Sequence, residues 1–270
     1  MKRSLTIITP TLNSEKTLQE TLVSLQPLAK AGAKLIVVDS NSTDGTVSIA
    51  RAQGAKVYTV APGNMYEAIN CGLEKSRTDW YTYINSDDLL YADAVEKALL
   101  DFGSTADVIF GSIDLVDGMG RLLHSWNSPP AEDFQKLISN RIMPIPQAGT
   151  LFRKEVANAL RGFDTTFRFA SDFDFFLRAS VAGFKFARLK IPRIAAFRLH
   201  ANQISQRKMR EMKDEVDRSI RQNGIKCGTY RYLPAYLMFR FRNWDSYVLR
   251  MMRMRHLMGR TGLGSTLSYE

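Results

Sequence analysis

Apolar positions in the first half of the chain alternate between short continuous runs and runs with helical spacing. Residues 4–9 and 34–39 are short segments rich in aliphatic and β-branched side chains, which predicts β-strands. Between them, Leu18, Leu22 and Leu25 recur at i, i+4 and i+7, the spacing of a helix that buries one face. The Leu-Ile-Val-Val run within 34–39 is apolar without interruption, as expected of a strand covered on both sides.

The same alternation continues as far as residue 113. We predict further strands at 56–60, 80–84 and 107–113. Helices are predicted at 46–52, 65–73 and 92–102. Strands that alternate with helices are typical of βα units, which assemble into a mostly parallel sheet flanked by helices. The pattern therefore predicts an α/β fold.

Beyond residue 115 the alternation is less regular, and prolines at 129, 130, 144 and 146 mark loops. Strands are predicted at 122–126, 147–152, 186–189 and 194–199, and helices at 132–139 and 172–181. We expect one α/β domain, residues 1–205, followed by a basic helical tail, residues 206–270.

The composition excludes several classes of protein. The chain of 270 residues is 45% hydrophobic and 24% charged, which is ordinary for a soluble globular protein. Two cysteines, Cys71 and Cys227, cannot form a disulfide scaffold for this length, so a reducing cytoplasmic location is expected. No stretch approaches the roughly 18 apolar residues of a transmembrane helix, and any membrane contact is predicted to be peripheral.

The net charge of +10 is concentrated in the tail. Residues 1–205 hold 23 Lys and Arg against 21 Asp and Glu, whereas residues 206–270 hold 14 against 6, a net +8. On a helical wheel the tail has one apolar face and one arginine face, the former made of Leu237, Phe241, Trp244, Val248, Met251 and Met252. This pattern predicts binding to the inner face of an anionic membrane. The alternative is that the apolar face packs on the body or on a second subunit of a homo-oligomer; no zinc-finger or RNP motif supports nucleic-acid binding.

Polar residues follow three of the predicted strands, at 9–13, 39–46 and 85–88. In open α/β sheets, ligands bind outside the carboxyl ends of the strands, so these three segments are expected to surround one ligand. The loop after Asp39 could equally be a helix-capping turn. Asp87 and Asp88 repel each other unless a cation or hydrogen-bond donors compensate, which favours Mg²⁺ or Mn²⁺, with a solvated turn as the alternative.

These segments in this order resemble the motifs of family 2 glycosyltransferases, inverting enzymes of GT-A fold, and are especially similar to the colanic-acid type of polysaccharide glycosyltransferases. Residues 63–73 resemble a further segment of that family. The resemblance implies that nucleotide binding involves Thr9, Pro10, Thr11, Asn13, Asp39, Asn70, Asn85 and Asp87. It implies that Asp88 and His200 are ligands of the Mn²⁺ or Mg²⁺ cofactor. Asn85 stands where the family's longer motif has its first acidic residue.

Residues 169–178 resemble the region that supplies the catalytic base of the family, with Asp172 at the position of the base and Ser171 in place of a more usual Glu. Independently of the resemblance, Asp172 lies among five phenylalanines, and burial there would raise its pKa toward the range of a general base. The alternative is that Asp172 caps the following helix while Asp174 or Arg178 forms a surface ion pair. By resemblance, Gln147 is a candidate contact for the acceptor and Arg198 for the diphosphate.

The expected function is therefore metal-dependent, inverting transfer of a sugar from a nucleoside diphosphate sugar, with UDP as the expected nucleotide. The resemblance implies a hydroxyl acceptor on a glycan or a polyprenyl-diphosphate-linked sugar, in surface polysaccharide or glycoconjugate synthesis. A dinucleotide-binding oxidoreductase is disfavoured because no Gly-x-Gly-x-x-Gly follows the first strand. The remaining alternative is a catalytically inactive, nucleotide-sugar-binding scaffold at the membrane.

Overall fold

The computed structural model describes residues 4–199, 208–225, 232–245 and 248. Its strands are β1 Leu5–Thr11, β2 Lys34–Asp39, β3 Lys56–Thr59, β4 Trp80–Tyr83, β5 Leu89–Leu90, β6 Val108–Gly111, β7 Ile113–Val116, β8 Leu122–Trp126, β9 Leu151–Arg153, β10 Phe186–Leu189 and β11 Ala195–Arg198. Its helices are α1 Leu18–Lys30, α2 Thr46–Ala52, α3 Met65–Glu74, α4 Ala92–Phe102, α5 Ala131–Ile138, α6 Lys154–Leu160, α7 Ser171–Val181, α8 Met209–Gln222 and α9 Leu233–Arg242.

Seven strands form the central sheet, in the order β10-β6-β9-β4-β1-β2-β3. All neighbouring pairs are parallel except those made by β9, which runs antiparallel to β4 and β6. The prediction of an α/β fold with a mostly parallel sheet is thus confirmed. The motif-bearing strands β4, β1 and β2 are neighbours, so their carboxyl ends lie side by side.

Two apolar layers cover the sheet. Leu18, Leu22 and Leu25 of α1 pack with α4 on one face, as their helical spacing predicted. The other face carries α3, α5, α6 and α7 and is rich in aromatic side chains. Helix α3 lies very close to β1, because a Cβ on Gly72 would stand only 2.6 Å from Cγ2 of Ile8. This close approach places the start of α3 beside the carboxyl end of the sheet.

The prediction of one strand at 107–113 is wrong, because two strands, β6 and β7, begin within this segment. The chain leaves the central sheet after β6 and enters a second sheet, of order β5-β11-β7-β8, with β7. Both halves are apolar, so hydrophobic pattern alone could not reveal the change of sheet. The predicted strand at 147–152 was also too long: Gly149 has φ +78° and the Thr150 amide bonds to the Gln147 carbonyl, which makes a turn ahead of β9. The sequence did not predict β5 or α6.

Helix α8 lies against α7 and the aromatic layer of the central sheet. Ile220 is buried in the aromatic layer with α7, and Ser219 Oγ donates to Asp174 Oδ1 at 2.8 Å. Helix α9 buries Ala235 and Phe239 against α5 and Trp126. The predicted boundary at residue 205 stays a prediction.

The predicted apolar face of the tail lies on the outside of α9. Phe241 is 72% exposed and Trp244 60% exposed, and Leu237 is exposed beside them. Met251 and Met252 of the same predicted face lie outside the described residues. None of the helices that the structure describes is long and apolar enough to cross a bilayer.

Candidate active site

The loops that follow β1, β2 and β4 meet at one edge of the central sheet. Ser14 Oγ lies 2.8 Å from Ser86 Oγ, and the Ser14 amide donates to Thr46 Oγ1 at 2.7 Å. Asn13 adds a second link, because its amide donates to Ser42 Oγ and its Oδ1 accepts from the Thr43 amide. The predicted convergence of these three segments is confirmed.

Asp39 ends β2 with its side chain buried between the first two loops. Thr11 Oγ1 donates to Asp39 Oδ1 at 3.1 Å, and Ser42 donates through its amide at 2.8 Å and its hydroxyl at 2.5 Å. Hydrogen bonds of this kind are also expected of the helix-capping turn, which was the alternative interpretation of the loop after Asp39. Thr9 and Thr11 are buried at the end of β1, around Pro10. The assignment of this group to a nucleotide stays a prediction.

The Asp87-Asp88 pair lies in the turn between β4 and β5. Asp88 is 1% exposed, and its carboxylate accepts from the Arg198 amide at 2.9 Å and from Asn85 Nδ2 at 3.2 Å. Burial raises the pKa of Asp88 well above its usual value, and the charge of Asp87 adds to the increase. The two hydrogen bonds and the positive charge of Arg198 oppose this increase.

The residues of this turn fit a hard divalent cation. Asn85 Oδ1 is buried and accepts no hydrogen bond from the described residues. Mg²⁺ and Mn²⁺ bind carboxylate and amide oxygens, and take their remaining ligands from phosphate groups and water. In the described ranges no cluster of three or more His, Cys, Asp or Glu side chains is arranged to hold a metal by itself. His200, the other predicted ligand, lies outside the described residues.

Arg198 fixes the position of this turn. The residue is only 4% exposed. Its guanidinium donates to the Asp87 carbonyl at 2.9 Å, the Gly118 carbonyl at 2.7 Å and Glu20 Oε2 at 2.5 Å. Its backbone amide holds Asp88. In this structure the guanidinium thus binds within the protein, and the predicted contact to a diphosphate stays a prediction.

Asp172 lies in the first turn of α7, between phenylalanines and two tyrosines. Its Oδ1 accepts from the Phe173 amide at 2.8 Å and from the Tyr66 hydroxyl at 3.3 Å. Burial raises the pKa of Asp172, as the sequence predicted, although these two hydrogen bonds oppose the increase. Asp174 pairs with Arg178 at 2.6 Å, but Asp174 is buried and the N-cap residue is Ala170, so this is not the surface ion pair and Asp172 cap of the alternative interpretation.

Tyr66 and Tyr83 are the functional candidates that sequence analysis missed. Burial raises the pKa of Tyr83 well above its usual value, and the charges of both Asp172 and Asp88 add to the increase. The charges of the predicted base and of the predicted metal ligand therefore both raise the pKa of this one side chain. Tyr66 lies within residues 63–73, but nothing in that segment alone indicates its partner, which is 106 positions away.

Two further predicted residues make contacts within the protein. Asn70 Nδ2 donates to the Phe163 carbonyl at 2.7 Å and Asn70 Oδ1 accepts from the Phe163 amide at 2.9 Å, so both ends of this amide hold the loop before α7. Gln147 Nε2 donates to the Tyr83 carbonyl at 2.7 Å, which places Gln147 at the end of β4. Roles of the two residues in ligand binding stay predictions.

Comparison with known proteins identifies the family. Residues 6–161 match the family described as Glycosyl transferase family 2, and this match covers more than half of the chain. This chain belongs to glycosyl transferase family 2. The resemblance noted in the sequence is confirmed.

Two similar family 2 relatives come from Mycobacterium tuberculosis strain H37Rv. Uncharacterized glycosyltransferase Rv0539 is 28% identical over 131 residues, which are 46% of this chain and 58% of that protein. PGL/p-HBAD biosynthesis glycosyltransferase Rv2957 is 25% identical over 181 residues, which are 64% and 68% of the two chains. This chain thus spans less than two thirds of the length of the first relative.

Solved structures show the same fold. S. aureus TarS 1-349 in complex with UDP-GlcNAc has a TM-score of 0.67 at 21% identity, over 91% of this chain and 75% of that chain. Glucosyl-3-phosphoglycerate synthase of M. tuberculosis, in complex with Mn²⁺, UDP and phosphoglyceric acid, has a TM-score of 0.61 at 19% identity, over 84% and 80% of the chains. At this level of identity the likeness concerns the fold, and it confirms the predicted GT-A type.

Proposed function

We propose that this family 2 chain is an inverting glycosyltransferase that uses a UDP-sugar as donor and a hydroxyl group as acceptor. The observation that carries the proposal is a set of contacts through Phe163: its ring packs on Tyr83, the last residue of β4, at 5.4 Å between centroids, and stacks on Tyr66, whose hydroxyl donates to Asp172. The Asp87-Asp88 turn follows directly after β4. A base and a carboxylate pair suited to a cation thus lie at one edge of the sheet. Direct displacement needs both, because it removes a proton from the acceptor while a diphosphate leaves.

Asp172 is assigned the role of general base. Its Oδ1 is held by Tyr66 and the Phe173 amide, and we assign the other carboxylate oxygen to the acceptor hydroxyl. As the hydroxyl oxygen bonds to the anomeric carbon, its proton moves to Asp172 and the bond to the nucleoside diphosphate breaks. Attack from the face opposite the leaving group inverts the anomeric configuration.

The donor is assigned to the converged loops. Thr9, Pro10, Thr11, Asn13 and Asp39 would line the nucleoside, and Asn70, Asn85 and Asp87 would complete the nucleotide site. Asp88, with Asp87 and Asn85 Oδ1 beside it, would hold Mg²⁺ or Mn²⁺, and the chemistry that such an ion supplies is neutralisation of the leaving diphosphate. The TarS complex with UDP-GlcNAc and the glucosyl-3-phosphoglycerate synthase complex with Mn²⁺ and UDP support this choice of donor and cofactor.

The acceptor is proposed to be a glycan or a lipid-linked sugar at the inner face of the membrane. Similarity to Rv2957, which is named as a glycosyltransferase of PGL/p-HBAD biosynthesis, supports a glycoconjugate product. The exposed Leu237 and Phe241 of α9 and Trp244 just beyond its end, with the +8 charge of residues 206–270, support contact with an anionic lipid surface. Gln147, at the end of β4, is the candidate acceptor contact.

The proposal is tested by incubating the full chain with a panel of nucleotide sugars and measuring release of nucleoside diphosphate, with Mn²⁺ or Mg²⁺ and with a chelator. We expect metal-dependent release from one UDP-sugar, and NMR of a transferred product should show the inverted anomer. Binding of UDP-sugars with no release or transfer under any condition would instead identify the inactive scaffold.

A further inference from the structure

Glu215, on the helix that follows the GT-A domain, is attached to the segment that carries the proposed base. Its carboxylate accepts hydrogen bonds from three successive backbone amides, those of Arg168 at 2.8 Å, Phe169 at 2.8 Å and Ala170 at 2.9 Å. Hydrogen bonds from amides to a carboxylate are charge-assisted and therefore strong. A single side chain of α8 thus fixes the backbone two residues before Asp172.

The segment held by Glu215 is also bound by residues at the start of α3, through carbonyl and side-chain contacts: Asn64 Nδ2 donates to the Phe167 carbonyl and the Arg168 guanidinium donates to the Gly63 carbonyl, each at 3.1 Å. Glu215 binds the backbone amides. Ala170 precedes the first residue of α7 and offers no side chain to cap that helix. The free amides at the start of a helix need acceptors, and a negative charge there is favourable. Glu215 fulfils this role for the amide of the N-cap residue Ala170, from a position 45 residues later in the sequence, and its other two hydrogen bonds hold the backbone just before the helix.

Two neighbours of Glu215 on α8 strengthen the attachment. The Arg218 guanidinium lies 3.9 Å from the centroid of the Phe167 ring and donates to the Thr166 carbonyl at 2.9 Å. Ser219 Oγ donates to Asp174, two residues beyond the proposed base, at 2.8 Å. Contacts from α8 therefore flank Asp172 on both sides.

We propose that Glu215 is a positioning residue, which sets Asp172 against the acceptor hydroxyl by fixing the backbone of residues 168–170. The inference rests on the proposed role of Asp172 as base. A general base must lie within hydrogen-bond reach of the proton that it removes, and an error of about 1 Å in placement can cost about 10²-fold in rate. Glu215 itself touches neither substrate nor the reacting atoms.

Because Glu215 is charged, its proposed role also predicts a change in the pH dependence of kcat. The groups that face Asp172 are Tyr66 from α3, Tyr83 from β4, the Phe173 amide and Glu215. Burial is the main cause of the raised pKa of Asp172, and the negative charge of Glu215 adds to it. Replacing that charge by a neutral amide favours ionised Asp172, so the acid limb of the kcat profile should move to lower pH.

The test compares Glu215→Ala and Glu215→Gln with the matched control Glu211→Gln in the full chain. Glu211 is exposed one turn earlier on α8 and pairs with Lys208. We expect Glu215→Ala to lower kcat about 10-fold or more with the donor KM unchanged. Glu215→Gln should retain more of kcat and shift the acid limb downward, while the control should match the wild type.

Thermal unfolding and nucleotide affinity show whether each variant is folded. If Glu215→Ala does not fold, the pH profile of Glu215→Gln decides. Unchanged kcat in folded Glu215→Ala, or an unshifted acid limb in Glu215→Gln, would overturn the inference. Wild-type turnover by Asp172→Asn would instead overturn the proposed base, so the two failures are distinguishable.

Discussion

The Tyr66 hydroxyl oxygen lies 3.3 Å from Oδ1 of Asp172 and donates a long hydrogen bond to it. Burial raises the pKa of Tyr66 well above its usual value, and the charge of Asp172 adds to this, so the phenol keeps its proton at neutral pH. The bond partly offsets the cost of ionising a buried carboxyl group. It also holds one oxygen of Asp172, and the other is the one assigned to the acceptor hydroxyl.

Tyr66→Phe should therefore raise the pKa of Asp172 further, because the carboxylate loses a donor. The acid limb of the kcat profile is expected to move to higher pH, with turnover reduced most below neutrality. The phenylalanine ring can keep the stacking on Phe163, where the ring centroids are 5.8 Å apart. Tyr81→Phe, whose hydroxyl binds the Ser76 carbonyl, is the matched control. An acid limb that stays in place, or moves to lower pH, would contradict the role given to this bond.

Asp172→Asn should lower turnover by about 10²-fold or more while the affinity for the donor changes little, since an amide cannot accept the proton. Steady-state kinetics and titration with the nucleotide give the two quantities. Asp164→Asn, on the exposed loop before α7, serves as the control carboxylate. Turnover close to that of the wild type would remove Asp172 from the mechanism.

The same substitution has a predicted effect on stability. Because the pKa of Asp172 is raised in the folded protein above the ordinary 3.8, the folded state binds more protons than the unfolded state in the window from 3.8 up to the folded value. The wild type thus loses stability as pH rises through that window, by at most about 1.4 kcal/mol per pH unit for one proton. Denaturant unfolding should show that Asp172→Asn gains stability relative to the wild type as pH increases. A difference that is constant with pH would count against the raised pKa.

Asp88→Ala should abolish the metal-dependent part of nucleoside diphosphate binding, because the diphosphate loses the cation that bridges it to the turn. Isothermal titration of UDP with Mn²⁺ and with a chelator measures this part directly. Asp93→Ala, exposed in the first turn of α4, is the matched control. If the native protein binds UDP equally well without metal, the proposed cofactor is wrong.

Membrane binding is expected to depend on the outer face of α9. The full chain should cosediment with anionic vesicles and be released as salt rises, because each basic residue near the surface contributes about 1 kcal/mol that salt screens. The double variant Phe241→Ser and Trp244→Ser should bind more weakly, whereas Leu100→Ser, which alters an exposed residue of α4, should not. Equal binding by the double variant would place the lipid contact elsewhere, and no binding by the wild type would exclude it.

Much of the candidate site was predictable from the sequence because its signals are local. The loops after β1, β2 and β4 are polar segments directly after apolar runs, and parallel strands place such segments at one edge. The raised pKa of Asp172 followed from the phenylalanines beside it in the sequence. Helices α4 and α7 were predicted to within a residue, and the buried face of α1 was predicted from its leucines, since the apolar positions keep one period over several turns.

Contacts between distant segments were decided only by the tertiary structure. Examples are the change of sheet between β6 and β7, the hydrogen bond from Tyr66 to Asp172 and the hydrogen bonds of Arg198 to the Asp87-Asp88 turn. No local sequence pattern indicates which of these segments meet. Glu215 lies in a segment that the charge pattern assigned to a separate tail, yet it binds the backbone before the proposed base. The physical reason is that spacing and composition determine which face of an element is apolar, whereas the partner of a polar side chain depends on how the finished layers pack.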